Sequence, residues 1–183
     1  MQVTVTQAAE TVAYHEAGHA VAHYVLRVPY ECVEFQLLGA RSWGVVRAVN
    51  DRRLWDGPVS RRYAYARVTT VLTGPAAAAR YRPSSAAARL SAADGQIIRN
   101  LLDRVQPPAL GADRLLLIDM LHRRAEGIVA DWWPAIEAVA DALVASPGRL
   151  DAAEIRSIIA EAMASRAGTS GRVRAGTFRT NAG

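Results

Sequence analysis

The 183 residues predict a mainly α-helical (α+β) domain with one small antiparallel hairpin or sheet. Apolar residues recur at steps of three and four through most of the chain, the period of a helix with one buried face. Only two short stretches alternate as strands do, Cys32–Leu38 and Gly44–Val49. Breaks such as Gly57-Pro58, Pro83-Ser84-Ser85 and Pro107-Pro108 separate the segments.

The first helix has a capping-box start at Thr4-Val5-Thr6-Gln7, and Pro29 stops it. Ala8, Val12, His15, His19, Ala22 and Leu26 form its expected core-facing stripe. Residues 39–43 join the two strands, and residues 50–58 form a loop. Residues 58–82 read as a helix interrupted or bent near Gly74-Pro75, followed by a short helical turn over 86–90. The run Ile97, Ile98, Leu101, Leu102, Val105 marks a helix over 94–105. Residues 111–145 hold one long or two abutting helices, with Pro134 at a kink or a first turn. A turn over 146–151 leads to Asp151, which caps a last helix to about Met163. No internal repeat is present. The expected organisation is one domain over 1–163 and a basic, disordered tail over 164–183.

With 51% apolar residues the chain can bury one sizeable core. It has no apolar run of membrane-spanning length and no basic-then-apolar leader, so a soluble, cytoplasmic protein without a membrane partner is expected. The single cysteine, Cys32, excludes an internal disulfide and a cysteine-built zinc knuckle, and reads as a packing residue. All 22 basic residues are arginine, so a phosphate-binding loop with its lysine is excluded. Of the net charge of +5, all but +1 comes from Arg166, Arg172, Arg174 and Arg179, which follow the last acid, Glu161. A solvated tail accounts for it, and no nucleic-acid partner is expected.

The chemistry is concentrated in His15-Glu16-Ala17-Gly18-His19, an HExxH motif on the first helix. Positions four apart share a helix face, so His15 and His19 can turn two imidazole nitrogens toward one metal ion. Glu16 lies one step round, placed to act as a general base. The competing reading is a pair of hydrogen-bonded core histidines beside a surface glutamate. His23 extends the run, but it stands about 12 Å along the axis from His15, too far for one zinc to take all three. It reads as a surface residue, or as one that supports the site without ligating. A third ligand is required; by residue type alone Asp94, Asp103, Asp113, Asp119, His122 and Glu126 are all candidates. Asp94 stands out by sitting at a helix start, where a short carboxylate is held rigidly; the competing reading is a helix cap.

The string Val12-Ala13-Tyr14-His15-Glu16-Ala17-Gly18-His19-Ala20-Val21 resembles the peptidase domain of the FtsH family, membrane-anchored ATP-dependent zinc proteases. The likeness continues more weakly through Leu72-Thr73-Gly74-Pro75-Ala76-Ala77 and Ser91-Ala92-Ala93-Asp94, and spans about Thr4 to Met163. It implies a helical zincin-like fold, zinc held by His15, His19 and Asp94, and Glu16 as catalytic base. Ala78 stands where that family usually has a glutamate. No ATPase module or membrane anchor is read here.

The resemblance and the motif together imply a zinc-dependent endopeptidase without its own unfoldase. Its substrates would be peptides or unfolded segments, delivered by a separate ATPase or adaptor if any. A substrate strand could add to the edge of the hairpin. The rival is a weakly active or inactive, zinc-stabilised interaction domain derived from a peptidase. Trp43, Trp55, Trp132 and Trp133 would anchor it if exposed, although such residues more often pack. Arg61-Arg62 and Arg123-Arg124 read as solvated helix faces.

Overall fold

The computed structural model describes residues 7–38, 41–48, 59–105 and 111–174. In chain order these form α1 (Gln7–Leu26), β1 (Tyr30–Leu38), β2 (Arg41–Ala48) and α2 (Arg61–Tyr81). A 3-10 turn (Ala86–Ala88) follows, then α3 (Ala92–Val105), α4 (Gly111–Asp131), α5 (Trp133–Ala145), β3 (Gly148–Asp151) and α6 (Ala152–Arg174). The architecture is mainly α with a small antiparallel sheet, as the sequence predicts. The Thr4 cap, the loop bearing Trp55 and Pro107-Pro108 lie outside the described residues.

The sheet has three strands in the order β2-β1-β3, one more than the hairpin read from sequence. β1 pairs antiparallel with β2, Val33 opposite Val46 and Phe35 opposite Gly44. On its other side it pairs with β3, Val33 opposite Leu150. β3 occupies part of the expected 146–151 turn. Asp151 ends the strand and caps α6: its Oδ1 accepts from the Ala153 and Glu154 N–H groups at 2.8 and 2.9 Å. Glu154 reaches back to the Asp151 N–H at 2.7 Å, completing a capping box. β2 starts at Arg41, so Trp43 belongs to a strand and not to the expected loop.

α1 departs from the predicted single stripe. Ala9, Ala13, Ala17, Gly18, Ala20, Val21 and Ala22 are all buried, and they lie all round the helix. Side chains this small let neighbours close in from several directions. α2, α5 and β2 all pack on α1. Gly18 marks a close approach of α1 to α2: a Cβ there would run into Ala77 Cβ and the Thr73 carbonyl. Toward α5 and the end of α2, Tyr14 stacks on Tyr81 at 4.0 Å and on Trp133 at 5.4 Å.

Two apolar clusters fill the interior. One joins α1 to the sheet, α5 and α6 through Phe35, Ile136, Val139, Leu143, Ile155 and Ile159. The other joins α2, α3 and α4 through Val68, Leu72, Ile98, Leu101, Leu102 and Leu121. Trp132 and Trp133 pack against the first cluster, while Trp43 is 45% exposed. Cys32 is buried, as expected of a packing residue. Arg61, Arg62, Arg123 and Arg124 are exposed. α6 continues to Arg174, past the boundary expected near residue 163, and Arg166 donates to the Asp131 carbonyl at 2.8 Å. No helix among the described residues is long and apolar enough to cross a membrane.

Candidate metal centre

One helical turn of α1 brings His15 and His19 together with Nε2 atoms 3.0 Å apart and rings nearly perpendicular, at 85°. Each ring is fixed from behind by a main-chain carbonyl. His15 Nδ1 lies 2.8 Å from the Ala87 oxygen in the 3-10 turn, and His19 Nδ1 lies 2.8 Å from the Thr70 oxygen in α2. A carbonyl can only accept, so each Nδ1 carries the hydrogen and each Nε2 presents a lone pair. Two lone pairs aimed at one spot repel unless a cation sits between them. Burial works against a proton in that role: it is the main force holding the pKa of both rings down, for His19 to about 3.

Asp94 supplies the negative group. Its carboxylate stands on the first turn of α3, and one possible ligand atom from each of His15, His19 and Asp94 lies within 4.8 Å of the others. These three residues could hold a metal ion. Zinc bonds of about 2.0–2.2 Å space tetrahedral ligand atoms about 3.3 Å apart, near the spacing the histidines already have. Asp94 is not the helix cap. That role falls to Ser91, whose Oγ accepts from the Asp94 N–H at 3.0 Å and donates to Asp94 Oδ2 at 2.6 Å. Ser91 therefore orients the carboxylate, as outer partners of metal ligands do.

The other acids named from sequence are engaged elsewhere or exposed. Asp103 pairs with Arg114, Asp119 with Arg123 and His122 with Glu126; Asp113 is exposed.

Glu16 is 6% exposed, far from the surface position that the competing reading gave it. β2 covers it. Gly44 lies so close that a Cβ would overlap the Glu16 side chain, so glycine is required at that point of the strand. Burial first, and the Asp94 charge second, push the Glu16 pKa up to about 8, against a hydrogen bond from the Val46 N–H. A cation held by the three ligands would favour the carboxylate form.

At Gly74-Pro75, where the sequence predicts an interruption or bend, α2 runs unbroken from Arg61 to Tyr81. A Cβ at Gly74 would collide with the His19 ring at its Cε1 and Nε2. Pro75 has no N–H to offer the helix, and one turn earlier the Thr70 carbonyl accepts from the His19 imidazole. The buried hydroxyls of Thr69, Thr70 and Thr73 bond back to carbonyls four residues earlier, which leaves none unpaired. Ala78 is fully buried; the two histidines are oriented by main-chain carbonyls without a side chain from that position.

A cavity of about 260 Å³ opens onto the group, lined by His15, Glu16, His19, Asp94, Arg67 and β2 residues Gly44 to Val46. A larger one of about 660 Å³, between Tyr24, Arg27, Tyr30, Trp132 and Arg156, shares only His23 with it. The smaller one holds the group that could bind a metal ion. His23 is neither a ligand nor a surface residue: it is 1% exposed and bonds Val28 and Arg67. The sequence gives Arg67, Ser91 and Gly44 no role in the site, since each lies 25 or more residues from the motif. No protein-family model and no curated protein sequence matches the chain.

Proposed function

We propose that this chain is a zinc-dependent endopeptidase that cleaves peptides or unfolded segments, with Glu16 as general base. The observation that carries the reading is the convergence of two bare imidazole nitrogens and one carboxylate beside a buried glutamate. The resemblance of Val12–Val21 to the FtsH peptidase motif supports it.

His15, His19 and Asp94 would hold the ion. Zinc, when bound, supplies a Lewis acid that acidifies water and polarises a carbonyl. Glu16 takes a proton from the attacking water and returns it to the leaving amine. Its burial under β2 keeps bulk water from competing for that proton. β2 is an outer strand of the sheet, with Gly44 to Val46 bordering the cavity. An extended substrate added along this edge would run past Glu16, held by main-chain hydrogen bonds. Such binding selects for unfolded chain over folded protein.

The test is cleavage of casein by purified, zinc-loaded protein and its Glu16→Gln variant. The variant should retain one zinc and lose about 10²–10⁴-fold in rate, the range of general-base catalysis. Wild type that holds one zinc and never cleaves casein would favour the interaction-domain reading, for which Trp43 offers an exposed anchor.

A further inference from the structure

The cavity has one charged wall that this mechanism leaves idle. Arg67, from the first half of α2, lines it together with His15, Glu16 and Asp94. Burial disfavours its charge, while the fields of Tyr63 and Asp94 favour it; a guanidinium stays protonated under such conditions. Arg67 is half-buried, and a cation partly withdrawn from water ordinarily has an anionic partner. Arg67 takes part in none of the ion pairs found among the described residues.

Its hydrogen bond goes to a neutral acceptor instead. Arg67 Nη1–H donates to His23 Nε2 at 2.8 Å, and His23 Nδ1–H donates to the Val28 carbonyl at 2.8 Å. The carbonyl decides the tautomer, leaving Nε2 with the lone pair that Arg67 needs. His23 stays uncharged, since burial and then the Arg67 charge depress its pKa to about 3. A fully buried histidine thus aims a cation without neutralising it. Only one of the five guanidinium N–H donors is used in that bond.

We infer that Arg67 binds a negatively charged substrate oxygen in this site, with His23 as its positioning residue. The inference rests on the peptidase reading for its substrate. That oxygen is either the scissile carbonyl oxygen during attack or a terminal carboxylate. In the first case the water oxygen bonds to the carbonyl carbon, and the π pair moves onto the carbonyl oxygen facing Arg67. The guanidinium gives up no proton. The pair returns as the C–N bond breaks, and the amine leaves with the proton delivered by Glu16. In the second case Arg67 anchors the end of the substrate and the chemistry takes place next to it.

The experiment uses full-length, zinc-loaded wild type, Arg67→Gln, Arg67→Lys and His23→Gln. Benzoate is the binding probe, titrated while arginine side-chain ¹⁵N resonances are followed. Benzoate should shift a resonance absent from Arg67→Lys, and Arg67→Gln should bind it at least about tenfold more weakly at unchanged zinc content. Two peptides of one sequence then separate the sources. A kcat loss of about 10²–10³-fold on both the amidated and the free-carboxylate peptide assigns the carbonyl oxygen. A rise in KM confined to the free-carboxylate peptide assigns the terminus. His23→Gln should reproduce a smaller version of the same kcat-against-KM split; a change in melting temperature alone would remove its positioning role. Equal benzoate affinity in wild type and Arg67→Gln overturns the inference. Should Arg67→Gln fail to fold, benzoate affinity in Arg67→Lys decides, because lysine keeps the charge and loses the forked geometry. If wild type cleaves neither peptide, the peptidase reading falls, while the benzoate titration still judges Arg67.

Discussion

The two apolar clusters hold the candidate ligands in different ways. His15 and His19 stand on α1, whose alanine-rich surface is enclosed on several sides by α2, α5 and β2. Asp94 stands on α3, an amphipathic helix attached through one stripe, Ile98, Leu101, Leu102 and Val105. The histidine pair is thus set by the central helix of the fold. The position of the carboxylate depends on how one peripheral helix docks. The site lies at the seam, and damage on the two sides should differ in kind.

The largest effect that separates them comes from Leu102→Ala. Emptying this fully buried position should cost about 2–5 kcal/mol of stability. It touches no ligand, yet it should also weaken zinc binding, because α3 carries Asp94. Denaturant unfolding with and without zinc reads both quantities. Equal loss of stability in the two conditions would show that docking of α3 and metal binding are independent.

Acid should loosen the α1 side. His23 has a folded pKa of about 3 against an ordinary 6.5, so the native state excludes a proton that the unfolded chain accepts. Its contribution is complete above about pH 6.5 and declines as pH falls toward 3. Between pH 7 and pH 5 this one group should remove about 2 kcal/mol. His23→Gln should flatten that part of the stability profile; an unchanged slope would mean that His23 is not held neutral.

Much of this contrast follows from what a sequence makes visible. His15, Glu16 and His19 fall within one turn of one helix, so their proximity is a local property and could be read directly. The burial of α1 all round was missed because three- and four-residue spacing identifies one stripe. The signal that could have shown it is side-chain size: Ala13, Ala17, Gly18 and Ala20 suit close approach on several sides. β3 was read as a turn, since its four residues become a strand only by pairing with β1. The basic composition after residue 163 predicts a disordered tail, yet α6 continues to Arg174. Arg67 acquires its role only through contacts that the fold creates, while Ser91 meets Asp94 locally, three residues on. Asp94 was one carboxylate among several until α3 placed it beside the histidines.

Ser91→Ala gives the smallest effect and the finest test of the α3 side. Losing the cap should cost about 1 kcal/mol. Losing the hydroxyl that orients Asp94 should weaken zinc binding about 10–100-fold. If stability falls while zinc affinity holds, Ser91 is a cap and nothing more.

The central claim is that His15, His19 and Asp94 share one metal ion. Diffraction recorded on both sides of the zinc absorption edge, from protein purified without chelator, tests it most directly. The account predicts one anomalous peak per chain, within bonding distance of both Nε2 atoms and an Asp94 oxygen. A metal-free site in zinc-replete crystals, or a peak elsewhere such as on His122 and Glu126, would contradict it.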